Sequence, residues 1–549
     1  MSRINGTKRR MYGVLIILFI SKITHAQPPL QWNALYATQS EVISSYNLQQ
    51  YNSPTIKFDN DKNLIASSII IADDQRDYVI VKYDQTGQLQ WDFIYDGEAH
   101  LTDYARDFTI DQFNNIIVTG ETYTEYIFDF DQSYGESELF VTKLSPSGEL
   151  LWTFRRPGTG FSYNEGKSIA IDENNNIYII GQSVTSNYER KLIIIKLDED
   201  GNTLWQREMP DLHGFKCRVI NGILQIVAGG NNFHNVIILK YNSIGELLQD
   251  ITIPDILLVV IPVIDDLGNV YVKRGVGLYK VTKFSSEGGV LWEFEEPKLL
   301  PPNVHADELI SIDFDEERNV YVTGRHYGAN YGIDSLYKNG DMLTIKLSEQ
   351  GEEIWRNKYE HDGGNTAEIG NHIVVLDNGY VLVTGYRFTG QPGDTDGILC
   401  TLDTLGNIVW LTSYDGGYNK RDVNIHSLID GNFFYTMGWS QDNDSNVDLS
   451  IRKYGPDVGV NTHETADAEN FMNLFPNPAT SSFYLDFSDG QLLPFQIELY
   501  DITARRVLHK LESGSNHFLV PNHIIGGIYT VRVLRNGELF TSKICITHK

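Results

Sequence analysis

Through most of the chain, apolar and polar residues alternate with a period of two, in short runs that break at Asp-Asn, Asn-Gly, Asp-Gly or Ser-Gly. That period belongs to strands with one covered face, and the breaks supply the positive-φ positions of tight turns. The pattern is also repetitive. "SIAIDENNNIYIIG" (168–181) followed by "KLIIIKLDEDGNTLW" (191–205) has the frame of "DFTIDQFNNIIVTG" (107–120) followed by "LFVTKLSPSGELLW" (139–152). The frame returns at 311–324 with 342–355, and in a degenerate form at 372–385 with 398–410. Each copy reads as strand, tight turn, strand ending in Thr-Gly, variable loop, strand ending in Lys, Gly turn, and strand carrying Trp. A four-stranded antiparallel meander is predicted for every copy.

Two positions number the copies. The Trp position is filled by Trp32, Trp91, Trp152, Trp205, Gln249, Trp292, Trp355 and Trp410, and the Lys position by Lys82, Lys143, Lys196, Lys240, Lys283, Lys346, Thr401 and Lys453. This spacing suits propeller blades with unequal loops, and eight blades are expected, with seven as the alternative. The ends argue for closure: "LQWNALY" (30–36) matches the Trp strand "LQWDFIY" (89–95) but has no strands before it, while "LSIRKYG" (449–455) ends a unit without its Trp strand. The first strand therefore completes the last blade and removes a sheet edge. A Trp recurring at one structural position reads as inter-blade packing rather than ligand stacking.

The predicted fold class is thus all-β: a β-propeller over 27–455, a linker over 456–470 without apolar period, and a small C-terminal β-sandwich over 471–549. From 467 onward eight acidic residues nearly match seven basic ones, although the whole chain has 72 acidic against 44 basic residues and a net charge of −28. The acidity belongs to the propeller. A nucleic-acid partner is excluded on this balance, because phosphate neutralisation needs surplus Lys and Arg.

Residues 1–26 read as a secretory signal peptide: Arg3, Lys8, Arg9 and Arg10, an apolar run from Tyr12 to Ile20, then Thr24-His25-Ala26 before Gln27. Removing them takes five bases (those four and Lys22) and no acid, which leaves 39 bases against 72 acids, net −33. The apolar run is about half the length of a membrane span, so no integral span is expected. Cys217, Cys400 and Cys545 are too few and too scattered for a disulfide framework or a zinc site and read as buried thiols.

The repeat resembles bacterial secreted propellers built from Trp-containing repeats, and "YDQTGQLQW" (83–91) is similar to the docking motif of quinoproteins. The tail resembles the C-terminal sorting domain of the Por (type IX) secretion system of gram-negative bacteria. It carries the Pro476-Asn477-Pro478-Ala479 entry, the "LYD" strand (499–501), Gly527-Ile528-Tyr529 and the terminal "SKICI" (542–546) in that family's order. Ala504-Arg505-Arg506 departs from it where a Gly usually precedes the basic residue. The resemblance implies recognition by the type IX machinery, passage across the outer membrane, and a protein secreted or held at the cell surface.

Candidate chemistry is sparse. There is no Gly-x-Ser-x-Gly elbow, His-Glu-x-x-His or phosphate-binding Gly loop, and His372 and His426 read as core or groove residues rather than ligands. "DNDSNVD" (442–448) sets Asp442, Asp444, Asn446 and Asp448 at alternate positions but lacks the turn Gly and distal Glu of a calcium loop. No cofactor is expected; Ca²⁺ is the one metal the spacing leaves open. The loop 121–138 combines Glu121, Glu125, Asp129, Asp131, Glu136 and Glu138 with Tyr123, Tyr126, Phe128, Phe130 and Tyr134 and no base, and 325–340 adds Tyr327, Tyr331 and Tyr337. Aromatic rings beside carboxylates suit sugars or basic peptides. The expected function is a non-catalytic exported propeller binding a protein or glycan, with Tyr123, Tyr126, Tyr134, Tyr327 and Tyr331 as candidate binding residues. The alternative is a quinoprotein-like or hydrolytic enzyme using the central channel, which convergent carboxylates, His and Arg at the channel mouth would favour.

Overall fold

The computed structural model describes residues 30–40, most of 55–455, and strand segments between 472 and 546. The interruptions within 55–455 fall at 73–74, 130–131, 159–161, 186, 231–233, 257–260, 274–278, 297–307, 327–339, 361–366, 390, 392, 417–419, 432 and 442–446. The signal peptide, the linker, Tyr327, Tyr331, and Asp442, Asp444 and Asn446 of the acidic loop lie outside the described residues.

Eight four-stranded antiparallel sheets follow one another as blades 1 to 8, their described strands lying in 55–95, 103–156, 162–210, 212–253, 263–295, 308–359, 368–414 and 422–454. Blade 8 takes its fourth strand from the beginning of the chain: Leu30–Ser40 pairs with Val447–Tyr454, with Ala34 opposite Ile451 and Tyr36 opposite Leu449. Eight blades and closure by the first strand are what the repeat arithmetic predicts. Val, Ile and Leu of the middle strands are almost wholly buried, while the outer strands expose every second residue. Eight apolar clusters result, each built from two neighbouring blades. The last joins Ile56, Val79 and Val81 of blade 1 to Tyr435, Met437 and Ile451 of blade 8.

The repeated polar residues explain the joints. In the first turn of a blade the Asp carboxylate accepts N–H groups two and four residues on, as Asp111 does from Phe113 and Asn115, both at 2.9 Å. Its other oxygen holds the Lys of the third strand: Lys143–Asp111 is 3.1 Å and Lys82–Asp59 is 2.8 Å. In blades 1, 2, 3 and 8 that Lys and the Trp of the fourth strand then donate to one carbonyl in the Gly turn of the next blade. Lys143 Nζ and Trp152 Nε1 lie 3.1 and 3.2 Å from Glu199 O, and Lys82 and Trp91 lie 3.2 and 3.0 Å from Pro146 O. Trp32 and Lys453 of blade 8 do the same to Gln85 O of blade 1. The turn Gly is required twice over: Gly201 has φ +85°, and a Cβ there would stand 2.8 Å from the Trp152 ring. Where Gln249 replaces Trp, Ile251 crosses the Gly288 turn instead.

The Thr-Gly signature has a second cause. The inner strand of most blades slips register by one residue, for example between Ala105 and Asp107 opposite Gly120 and Thr119. This bulge drives the Tyr104 carbonyl to within 1.8 Å of where a Gly120 Cβ would be, so only Gly fits. One expectation is corrected here. The segment 121–138 is not a loop: Ile116–Asp129 and Gln132–Leu144 form one long hairpin, paired as far as Asp129 opposite Gln132. Its run of Thr, Tyr, Ile and Phe favours the extended chain more than its carboxylates oppose it.

The C-terminal module is a separate compact unit, dividing from the propeller near residue 460. It has a three-stranded and a four-stranded antiparallel sheet and a core of Leu485, Ile497, Leu499, Tyr529, Val531, Val533 and Ile546.

If the first strand closes the ring, deleting residues 27–40 uncovers the edge of blade 8 and breaks the Trp32 joint to blade 1. The melting temperature of the propeller is expected to fall by several degrees; an unchanged value would contradict closure by this strand.

Candidate functional site

The inner strands of blades 2 and 3, Asp103–Ile110 and Ser162–Ile171, lie side by side, and their bulges aim charged residues at each other. Arg106, left unpaired by its bulge, donates from Nε to Glu121 Oε2 at 2.8 Å and from a terminal nitrogen to Glu121 Oε1. The same nitrogen lies 3.4 Å from Glu165 Oε2. Between the carboxylates sits the Tyr163 hydroxyl, 3.2 Å from Glu121 Oε1 and 2.8 Å from Glu165 Oε2. Lys167 at 2.7 Å and Gln182 hold the remaining oxygen of Glu165. Half-buried aromatic rings edge this network: Tyr123 lies 6.4 Å from Tyr104 and 6.2 Å from Tyr163.

Glu121 and Glu165 are almost completely buried, yet their environments push them apart. Burial raises the Glu121 carboxyl to about 7, against the pull of Arg106 and with the Glu165 charge adding to the rise. Burial also works against Glu165, but Lys167 and Arg106 overcome it and hold that carboxyl below its ordinary value. Arg106 stays charged because two acids outweigh its own burial.

Of the candidate binding tyrosines only Tyr123 is placed in this cluster, together with Glu121, the first acid of the same segment. The Tyr123 backbone N–H donates to Thr102 O at 3.0 Å, so this residue is the root of a hairpin rather than the tip of a loop. Tyr126 and Tyr134 lie opposite Gly135 and Ile127 farther along the same hairpin; their side chains, like Tyr327 and Tyr331, are outside the described residues. Tyr104, Arg106, Tyr163 and Glu165 escaped the sequence reading. The position just before the bulge gave no clear signal, because it varies from blade to blade: Tyr104 and Glu165 in blades 2 and 3, His213 and Glu308 in blades 4 and 6, Ile369 and Val423 in blades 7 and 8.

Neighbouring blades carry two further polar groupings. Asp77, Asp96 and Asp103 bring carboxylate oxygens within 4.8 Å of one another beside the Gly97 turn, whose N–H Asp103 caps at 2.8 Å. His372 and His426, on the inner strands of blades 7 and 8, stack with ring centroids 3.8 Å apart.

Because Glu121 keeps its proton to higher pH folded than unfolded, it contributes stability at acid pH that is lost as pH rises from about 4.5 through 7. Glu121→Gln is neutral throughout. The melting temperature of the variant minus that of the native protein is therefore expected to increase between pH 5 and pH 8, and a flat or falling difference would contradict the burial argument.

Comparison with known proteins adds the following. An uncharacterized WD repeat-containing protein of Acanthamoeba polyphaga mimivirus is 30% identical over 147 residues, 23% of this chain, and the match spans only about a tenth of that protein. A polysaccharide lyase structure, Uly1, aligns with 78% of this chain and 99% of its own at 8% identity and a TM-score of 0.43. A protein of unknown function from Bacteroides caccae aligns with 54% of this chain and 94% of its own at 15% identity and a TM-score of 0.28. No helix among the described residues is long and apolar enough to cross a membrane. Residues 473–547 match the secretion system C-terminal sorting domain family, and with that domain the chain is an exported β-propeller protein, carried by type IX secretion to the cell surface or the medium.

Proposed function

We propose that the exported propeller is a non-catalytic binding protein that engages a protein or glycan through the face bearing the 116–144 hairpin. The observation that carries this reading is the set of Tyr104, Tyr123 and Tyr163 rings mounted on the buried Arg106–Glu121–Glu165 network. Rings with partly open faces and fixed polar edges suit the apolar faces and hydroxyls of sugars, or basic side chains. Binding is favoured over catalysis because Glu121 and Glu165 are engaged by Arg106, Tyr163, Lys167 and Gln182, which fixes them as supports rather than leaving them poised as acid and base. Fold alone carries no weight in this choice.

A glycan array and a pull-down from surface extracts with the mature chain test the reading. Tyr123→Ala is expected to lose the ligand at a stability cost of about 1–2 kcal/mol, while Tyr123→Phe keeps it. Equal capture by Tyr123→Ala and the native chain would move the site elsewhere.

The sorting role is tested separately. Residues 471–549 fused to a signal-bearing reporter are expected to deliver it to the surface or medium of a type IX-competent host, and periplasmic retention would count against a self-sufficient module.

A further inference from the structure

Just beyond the bulges, the inner strands turn a second layer of side chains toward the axis of the ring. Asp107 Oδ2 of blade 2 accepts from Lys216 Nζ of blade 4 at 3.0 Å and from Ser168 Oγ of blade 3 at 3.1 Å. Lys57 Nζ of blade 1 stands 3.6 Å from Asp107 Oδ1. A salt bridge reaching from blade 4 past blade 3 to blade 2 is short enough only near the axis. On the other side lie the stacked His372 and His426, with Ser427 Oγ 3.0 Å from His372 Nδ1, and Lys273 of blade 5, which donates to Ile310 O of blade 6.

These groups form one electrostatic circuit. Lys57 acts on Lys216 and on His426, His426 on His372, and Lys273 on His372. Burial together with these ammonium groups keeps both imidazoles neutral, His426 down to about 4 and His372 well below its ordinary value, and burial brings Lys273 down to about 8. Among the described residues, the acids acting on the circuit are Asp107 and Glu308 beside Lys273, and Asp313 of blade 6 accepts from Val375 N of blade 7 at 2.8 Å. Asp107 serves two lysines at once. Lys57 and Lys216 nonetheless keep 37% and 40% of their side-chain surface accessible, and the two histidines are half-open. Lys57 Nζ also donates to Phe108 O, and two ammonium groups that share the single carboxylate of Asp107 leave positive charge over, beside accessible side-chain surface, in a chain whose net charge is −28.

We propose that the axial layer of Lys57, Lys216, Lys273, His372 and His426 is a binding site for a small oxyanion, a carboxylate or phosphate group held by the ammonium groups and by imidazole donors. Asp107 is the internal competitor for the same lysines. The surrounding acidic surface restricts access to small or locally anionic ligands and repels polyanions. The site is distinct from the tyrosine face proposed above and stands whether or not that face binds a ligand.

Titration calorimetry and thermal shift of the mature chain, with inorganic phosphate in one arm and acetate in the other at constant ionic strength, test it. Saturable binding of one anion over a chloride control is expected, and the arm that binds tells a phosphoryl from a carboxylate ligand. Lys57→Met is expected to weaken binding about tenfold or more, whereas Lys191→Ala on the outer part of blade 3 leaves it unchanged. Asp107→Asn is expected to tighten binding by releasing both lysines. Because a purely structural role for Asp107 predicts the opposite sign, a loss of binding in Asp107→Asn, or no saturable binding in either arm, overturns the proposal.

Discussion

The joint between consecutive blades is the interaction on which the rest of the molecule depends. A Lys and a Trp from one sheet converge on a single carbonyl in the Gly turn of the next, as Lys196 and Trp205 do on Ser243 O at 3.1 and 3.0 Å. The carbonyl gains two donors, the indole covers a turn that only Gly can make, and an Asp at the blade's own first turn holds the Lys in place. No single meander could bury its two faces alone; the Lys–Trp pair ties blades 8, 1, 2, 3 and 4 in succession, Trp292 and Trp355 continue the contact from blades 5 and 6 to Glu349 O and Thr404 O, and ring closure makes one body of the eight sheets. Closure by the first strand extends it to the last interface, where Trp32 and Lys453, far apart in sequence, meet at Gln85 O.

The inner-strand bulges are the other organising feature. A regular strand would send successive side chains to opposite faces, but the bulge at Arg106 lets neighbours serve different partners. Arg106 turns to the carboxylates of the tyrosine face and Asp107 to the lysines of the axis. The Thr-Gly pairs therefore mark where side chains can be re-aimed without disturbing the blade cores. That is where a ring with fixed packing has freedom to acquire a site.

Export and the proposed binding are divided between two units with different electrostatics. The propeller carries nearly all the excess negative charge, while the sorting module is close to neutral and packs a small core of its own. A strongly acidic ring remains soluble and self-repelling outside the cell, and it makes a local cluster of lysines at its centre conspicuous. The sorting domain accounts for where the protein goes; the binding proposed for it rests on the propeller.

Much of the architecture was legible in the sequence because it is written in short-range, repeated signals: strand alternation, turn residues, the Trp and Lys positions, and a first strand lacking its blade. The sorting module was legible for the same reason, through Pro476 to Ala479 and Gly527 to Tyr529 in order. What alternation could not show is which neighbour each polar side chain meets. Glu121 and Glu165, 44 residues apart, share the Tyr163 hydroxyl, and Lys216 and Asp107, 109 apart, form an ion pair, only because the bulged inner strands of neighbouring blades converge. The same limit misread 121–138, whose carboxylates suggested a loop while its β-branched and aromatic residues built a hairpin. The sequence by itself determined the strands, the blade count and the export address. The contacts across blades, and therefore the tyrosine face and the axial lysines, were decided by ring closure, because only the closed geometry sets the distances between them.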